Sequence, residues 1–155
     1  MPDAEIARVV HVLAVVLWIG GVGFVTLALL PFARAHGSAA EGVRLFEAME
    51  RRFAGQARVW VLLAGASGLW MTERYGLWPR FLDPDAWWMA AMVGLWALFA
   101  LMLFVAEPLF LDRWFARRAA ADARATLRLI LILHGVLLTL SLATVAGAVR
   151  GVHGG

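Results

Sequence analysis

Three stretches of the chain run for more than twenty residues without a formal charge, and they decide what it can fold into. They cover residues 9–33, 86–106 and 129–149. A bilayer core about 30 Å thick is crossed by about 20 apolar residues of α-helix, so each stretch is long enough for a membrane span. A fourth stretch, 59–72, reaches this length if its helix begins at Phe53 and the Arg58 side chain extends to the interface or finds a partner.

These stretches predict an all-α integral membrane bundle of four helices. We expect the helices at about 6–34, 53–73, 85–113 and 125–150, within one transmembrane domain that covers residues 1–155. The segment 39–56 combines charges with apolar residues at helical spacing. It is predicted to form a short amphipathic helix at the membrane interface, between helices 1 and 2.

The composition excludes several classes of protein. Hydrophobic residues make up 63% of the 155 residues, whereas ordinary globular proteins contain about 45–50%. A soluble domain of this size cannot bury so much apolar surface, so a soluble enzyme is excluded. The chain has no cysteine, which rules out disulfides, Cys-ligated zinc, iron–sulfur clusters and thiol catalysis. The arginines flank the apolar stretches and form no solvated patch, so we expect no nucleic-acid partner.

The distribution of arginine predicts the orientation. All 14 basic residues are arginine. Ten of them lie at the connections between helices 1 and 2 and between helices 3 and 4, and four lie on the side that carries both termini. The side rich in arginine normally faces the cytoplasm. We therefore expect a multi-pass protein of the bacterial inner (plasma) membrane, with both termini on the periplasmic or extracellular side.

Polar residues inside a membrane are costly, so each one is a candidate for function. His11 lies about one turn inside the outer end of helix 1, in the pattern H-x6-W-x-G-G-x-G. Met89 and Met92 in helix 3 and Met71 at the end of helix 2 lie at a similar depth. One imidazole with several thioethers favours either a haem with His or His/Met ligation or a Cu(I) site.

Other residues on the same side complete this candidate site. Arg8 is three residues before His11 and is a candidate partner for a haem propionate. His153 in the glycine-rich tail is a further candidate ligand, and Trp18 and Trp96 at mid-depth are candidates to line a flat cofactor.

Structural interpretations stay open beside these. His11 can instead bond a neighbouring carbonyl, and the methionines can simply fill the core. His134 lies in the opposite leaflet, about 15 Å from His11 along the membrane normal for a core of about 30 Å. It is predicted either to pair with Glu107, which shares its depth, or to ligate a second cofactor.

The first helix resembles that of two related membrane families. Residues 11–31, HVLAVVLWIGGVGFVTLALLP, are similar to the first helix of the CopD copper-resistance domain family and of HemJ-type protoporphyrinogen oxidases. Residues 51–70, RRFAGQARVWVLLAGASGLW, resemble their second helix with its late glycine. The resemblance implies a four-helix membrane unit in which His11 matches the haem b ligand of the HemJ-like proteins. Those proteins carry a lysine early in helix 3, and Met92 occupies that position here.

Together these features predict a small b-type haem protein of the membrane. It would carry electrons or catalyse a redox step with a quinone, a porphyrin-type molecule or a redox partner protein. Whether it is itself an oxidoreductase enzyme is left open, as is assembly of several copies in the lipid bilayer. The alternatives are a copper-binding or copper-transport module of the CopD type and a non-catalytic membrane subunit whose histidines are structural.

Overall fold

The computed structural model describes residues 2–153, with side chains for residues 3–151, and consists of four long helices that alternate in direction. α1 comprises Pro2–Phe24, a π-helical segment Val25–Leu29 and Leu30–Ala35. α2 covers Ala39–Arg74. α3 comprises Trp87–Leu101, a π-helical segment Met102–Leu111 and Asp112–Ala121. α4 covers Ala123–His153. Two short 3₁₀ turns, Trp78–Leu82 and Pro84–Ala86, join α2 to α3.

The all-helical fold is confirmed, because the described residues contain helices and turns but no strand. Three segments are long and apolar enough to cross a membrane, namely Asp3–Ala35, Pro84–Ala121 and Ala123–Gly151. All three helices are longer than predicted. α3 continues to Ala121 at the arginine-rich end, whereas α1 begins earlier, at Pro2, and α4 extends at both ends. α2 is not among the three, since its first half carries most of its charges.

The prediction of a separate interfacial helix is wrong. Residues 39–56 form the first half of the continuous 36-residue α2. The chain turns at Gly37, whose φ of +75° favours glycine. α2 then begins with a capping box, in which Ser38 Oγ accepts from the Glu41 N–H (3.3 Å) and Glu41 Oε2 accepts from the Ser38 N–H (2.6 Å).

The apolar face of this first half is covered by protein. Val43 and Phe46 are buried in a cluster with Leu30 of α1 and Leu127 of α4. The amphipathic pattern was therefore recognised correctly, but the other helices cover the apolar side. A second cluster, around Trp18 and Phe99, fills the middle of the bundle and draws on all four helices.

An arginine of α2 compensates for a proline within α3. Pro108 lies inside the π-helical segment Met102–Leu111. In a π-helix the N–H of residue 108 would bond the carbonyl of residue 103, but proline has no N–H. The Arg58 Nε–H donates to that carbonyl, Leu103 O, at 3.0 Å, and its second guanidinium nitrogen lies 3.0 Å from Glu107 Oε1. Arg58 thus satisfies the freed carbonyl and neutralises Glu107 at once, in the one ion pair among the described side chains.

Glu50 of α2 lies outside the predicted spans and is strongly perturbed. Burial first, and then the nearby carboxylates of Glu107 and Asp112, raises the pKa of Glu50 to about 7 from an ordinary value of 4.5. The folded protein therefore holds this proton more tightly than the unfolded chain does. Glu50 should lower the free energy of unfolding as the pH rises from 4.5 to about 7, with no further loss at higher pH.

We expect Glu50→Gln to stabilise the protein at pH 8 by about 1–3 kcal/mol and to leave its stability nearly unchanged at pH 4.5. Thermal unfolding in detergent at the two pH values measures this difference. Glu73→Gln, at the other end of α2 where the carboxylate is exposed, is the matched control. An equal stabilisation by Glu50→Gln at both pH values would contradict the assignment.

Candidate functional site

His11 of α1 is anchored to α2. Its Nδ1 lies 2.9 Å from the Ala64 carbonyl oxygen and 3.2 Å from Ser67 Oγ. A carbonyl only accepts, so Nδ1 carries the proton and donates it to Ala64. The Ser67 hydroxyl itself donates to the Leu63 carbonyl. In neutral His11 the lone pair is therefore on Nε2.

Gly68 provides the surface against which the imidazole lies. A Cβ added at Gly68 would lie 3.2 Å from His11 Cε1 and 3.4 Å from Nδ1, which is tighter than ordinary packing. A larger residue would thus press on the ring and change its orientation. Gly68, Ser67 and Ala64 together fix the imidazole on the small-residue face of α2.

A lateral groove of about 420 Å³ opens beside this anchor. It is lined by two short faces of α1 and α2, namely Asp3, Ile6, Ala7 and Val10 together with Ser67 and Trp70. Its lining is mainly apolar, and it includes Ser67, the side chain that contacts His11. Arg8 is exposed at the same end of α1. Apart from Asp3 and Ser67 the lining is apolar, and an apolar groove beside an oriented imidazole suits a flat molecule.

The two predicted tryptophans have different surroundings. Trp96 of α3 donates from Nε1 to the Val61 carbonyl oxygen at 2.8 Å and lies against Gly65. Trp18 of α1 is 4% exposed and meets Phe99 edge-on, with ring centroids 4.8 Å apart. Its buried indole N–H has no acceptor among the described residues. Trp96 therefore joins α3 to α2, whereas Trp18 retains a buried donor two turns from His11.

The methionines lie on two sides of the bundle. Met89 is buried with Trp88 and Ala86, and Met92 packs against the same cluster, which reaches Ala148 of α4. Met71 follows Ser67 by one turn of α2, on the helix face that meets His11. Trp96 lies against Gly65, and His11 lies against Gly68. Met92 and Gly68 are each about one helical turn from that first contact, toward the end of the bundle that carries the termini. Met92 and His11 therefore lie at a similar depth on different helices.

The predicted pair of His134 and Glu107 is wrong. His134 Nδ1 lies 3.0 Å from the Ile130 carbonyl oxygen of its own helix, and its ring meets Phe46 edge-on at 5.8 Å. Glu107 pairs with Arg58 instead. Both residues meet α2, but His134 does so at Phe46 and Glu107 at Arg58, which lie far apart along that helix. Equal depth was inferred from the sequence alone, and it did not bring the two side chains together. His153 belongs to the last turn of α4, and its side chain lies outside the described residues.

Three residues of the site were not found by sequence reasoning. Ala64, Ser67 and Gly68 were part of the apolar second stretch and carried no chemical signal of their own. Their signal was the run of small residues, AGASG at 64–68, which brings a neighbouring helix close. A histidine on an adjacent helix at the same depth is then able to reach the backbone.

Comparison of the chain with family models, with curated proteins and with solved structures finds no match.

Proposed function

We propose that this chain is a four-helix membrane protein that binds one haem b at His11 and transfers electrons to or from a quinone or a porphyrin-type partner. The observation that carries the proposal is the bond from His11 Nδ1 to the Ala64 carbonyl oxygen at 2.9 Å. Histidines that ligate metals nearly always donate their other ring N–H in this way, often to a backbone carbonyl. The bond fixes the tautomer of His11 and leaves Nε2 as the atom that would ligate a metal.

The residues around His11 fit a haem. Haem iron receives four ligands from the porphyrin and needs a strong axial ligand from the protein, for which imidazole is the common choice. His11 supplies that imidazole, and Gly68 leaves its ring unobstructed. Arg8 would pair with a propionate at the outer surface. Of the two predicted opposite ligands, Met92 packs in the separate cluster of α3 and α4, which leaves His153 as the candidate. Trp18, with its free N–H, would line the interior side.

The protein's own contribution would be to orient the His11 ring and to surround the cofactor with apolar side chains. When bound, haem b supplies a one-electron couple. The Ala64 carbonyl raises the basicity of His11 by accepting a hydrogen bond from its Nδ1–H, which would favour the oxidised metal. A group bound in the apolar groove would be partly shielded from water, and a lower dielectric would favour its less charged state. These opposing effects set the potential, which decides the direction of electron transfer with a partner in the lipid.

The membrane arrangement is part of the proposal. α2 would be the fourth span, since its one charge between Phe53 and Thr72 is neutralised within the bundle by Glu107. The arginine-rich end would face the cytoplasm of a bacterial plasma membrane and His11 would lie in the outer leaflet. A reporter enzyme fused at residue 37 should therefore be cytoplasmic, and an external reporter signal there would reverse the orientation.

A copper site is the second candidate, and Met71 is the observation that favours it. Met71 lies one helical turn after Ser67, whose hydroxyl contacts His11, so a thioether and an imidazole lie about one turn apart on adjoining faces. This is a donor pair suited to Cu(I). Met89 and Met92 are packed in a separate cluster of α3 and α4. A copper ion would thus gain two ligands here, whereas haem needs only one.

The absorption spectrum and metal content of the purified full-length protein separate these functions. We expect a Soret band and about one haem per chain, with less than a tenth of that amount of copper. A colourless protein that contains about one copper per chain would support the second candidate. A protein with neither, after expression with added haem precursor and copper, would contradict both and favour structural histidines.

A further inference from the structure

A small cavity lies at the arginine-rich end of the bundle, far from His11. It has a volume of about 220 Å³ and is lined by Arg34 at the end of α1, Gly37 and Ala39 at the turn into α2, and Arg124 and Leu127 at the start of α4. Leu127 is 2% exposed and forms an apolar wall. The cavity is thus bounded by three helices and brings two exposed arginines, Arg34 and Arg124, beside a buried aliphatic side chain.

The two arginines have no counter-charge of their own. The one ion pair among the described side chains is that of Arg58 and Glu107, so neither Arg34 nor Arg124 has a carboxylate partner within 4.0 Å. Two guanidinium groups brought to one cavity by different helices repel each other unless an anion lies between them. Unpaired arginines that converge in this way are typical of phosphate sites, because the guanidinium fork matches two phosphate oxygens.

The nearby carboxylates are engaged elsewhere. Glu41 accepts hydrogen bonds from the Ser38 backbone N–H and hydroxyl, at 2.6 and 2.9 Å, in the cap of α2. These bonds hold the pKa of Glu41 below its ordinary value. Asp122 caps the start of α4 by accepting from the Ala125 N–H at 2.9 Å. Both acids therefore serve helix ends and leave the two guanidinium groups to an external anion.

The position of the cavity indicates what that anion carries. Arg34 is the first charged residue after the uncharged stretch 9–33, and Arg124 is one turn before Arg128, which precedes the stretch 129–149. The cavity therefore lies where the membrane-spanning parts end, at the depth of lipid phosphates. Leu127 provides contact for an apolar group beside the phosphate.

We propose that this cavity binds a phosphate group between Arg34 and Arg124, either that of an anionic phospholipid or that of a free phosphate at the membrane surface. The site is independent of the cofactor proposed at the opposite end. It rests on the four-helix arrangement and, for the lipid source, on the membrane placement given under the proposed function.

Native mass spectrometry of the detergent-purified protein tests the lipid source, with phosphatidylglycerol and phosphatidylcholine as the added probes. Calorimetric titration with inorganic phosphate tests the other source. The variant is R34Q/R124Q, and the matched control is R51Q/R52Q, which removes the same charge from two exposed arginines at the same end. Circular dichroism verifies that both variants keep the helical fold.

We expect the wild type to retain phosphatidylglycerol in preference to phosphatidylcholine, and R34Q/R124Q to bind it about 30-fold more weakly. The control should lose less than threefold. Binding of inorganic phosphate with the same dependence on Arg34 and Arg124, and without lipid preference, would assign the free phosphate as the source. Equal losses in the two variants, or binding of neither probe by the wild type, would overturn the proposal.

Discussion

Arg58→Met should lower the free energy of unfolding by about 2–4 kcal/mol, the largest effect on stability that we expect from one side chain. The substitution removes the partner of Glu107 and the donor to Leu103 O, which are 3.0 Å from the guanidinium. Arg58 is 35% exposed and Glu107 16% exposed, so we take the lower part of the range known for buried pairs. Thermal or denaturant unfolding in detergent measures the loss.

A double-mutant cycle with Pro108 tests the reason for this effect. Pro108→Ala restores an N–H that is able to serve the Leu103 carbonyl, so Arg58→Met should cost at least 1 kcal/mol less in that background. Arg52→Met, on an exposed position of the same helix, is the matched control and should change stability by less than about 0.5 kcal/mol. Additive effects of the Arg58 and Pro108 substitutions would show that Arg58 does not compensate for the proline.

His11→Ala should abolish haem binding, which is the largest functional effect that we expect. His11 is the only histidine whose described ring is anchored to a neighbouring helix, through the 2.9 Å bond to Ala64. Without it the groove offers no oriented imidazole to the iron. The pyridine haemochrome assay on purified protein gives the haem-to-protein ratio.

His134→Ala is the matched control for this experiment. His134 bonds only its own helix at Ile130 and packs on Phe46. Its replacement should leave the haem content of the protein unchanged. Loss of a haem equivalent in His134→Ala, with retention in His11→Ala, would move the site to the other end of the bundle.

The sequence predicted three of the four helices, because a long run of apolar residues without a charge is a property of the chain alone and needs no knowledge of neighbours. The stretches 9–33, 86–106 and 129–149 each became the centre of a long helix. The same information gave depth, so His11 was placed near the outer end and Glu107 near the inner end. It failed to predict the partners of His134 and Glu107, which meet α2 at Phe46 and at Arg58 and do not meet each other.

The partners of the polar residues were the part that sequence could not supply. Arg58 was expected to extend to the interface or find a partner, and its partners are a carboxylate and a carbonyl on α3. The Leu103 carbonyl lacks its helical donor because residue 108 is a proline. This follows only once the segment is known to be π-helical, where each carbonyl bonds the N–H five residues later. The acceptor for His11 is likewise the backbone carbonyl of Ala64. Every residue has such a carbonyl, so the sequence does not indicate which one is used.

Chemical rescue of His11→Gly tests the central claim most directly, because it separates ligation from a structural role. The variant is purified with and without about 10 mM imidazole during haem loading, and the Soret absorbance per chain is compared with that of wild type. We predict that haem is absent without imidazole and returns when imidazole occupies the space left by the side chain. Full haem content in His11→Gly without imidazole would contradict the assignment of His11 as the ligand.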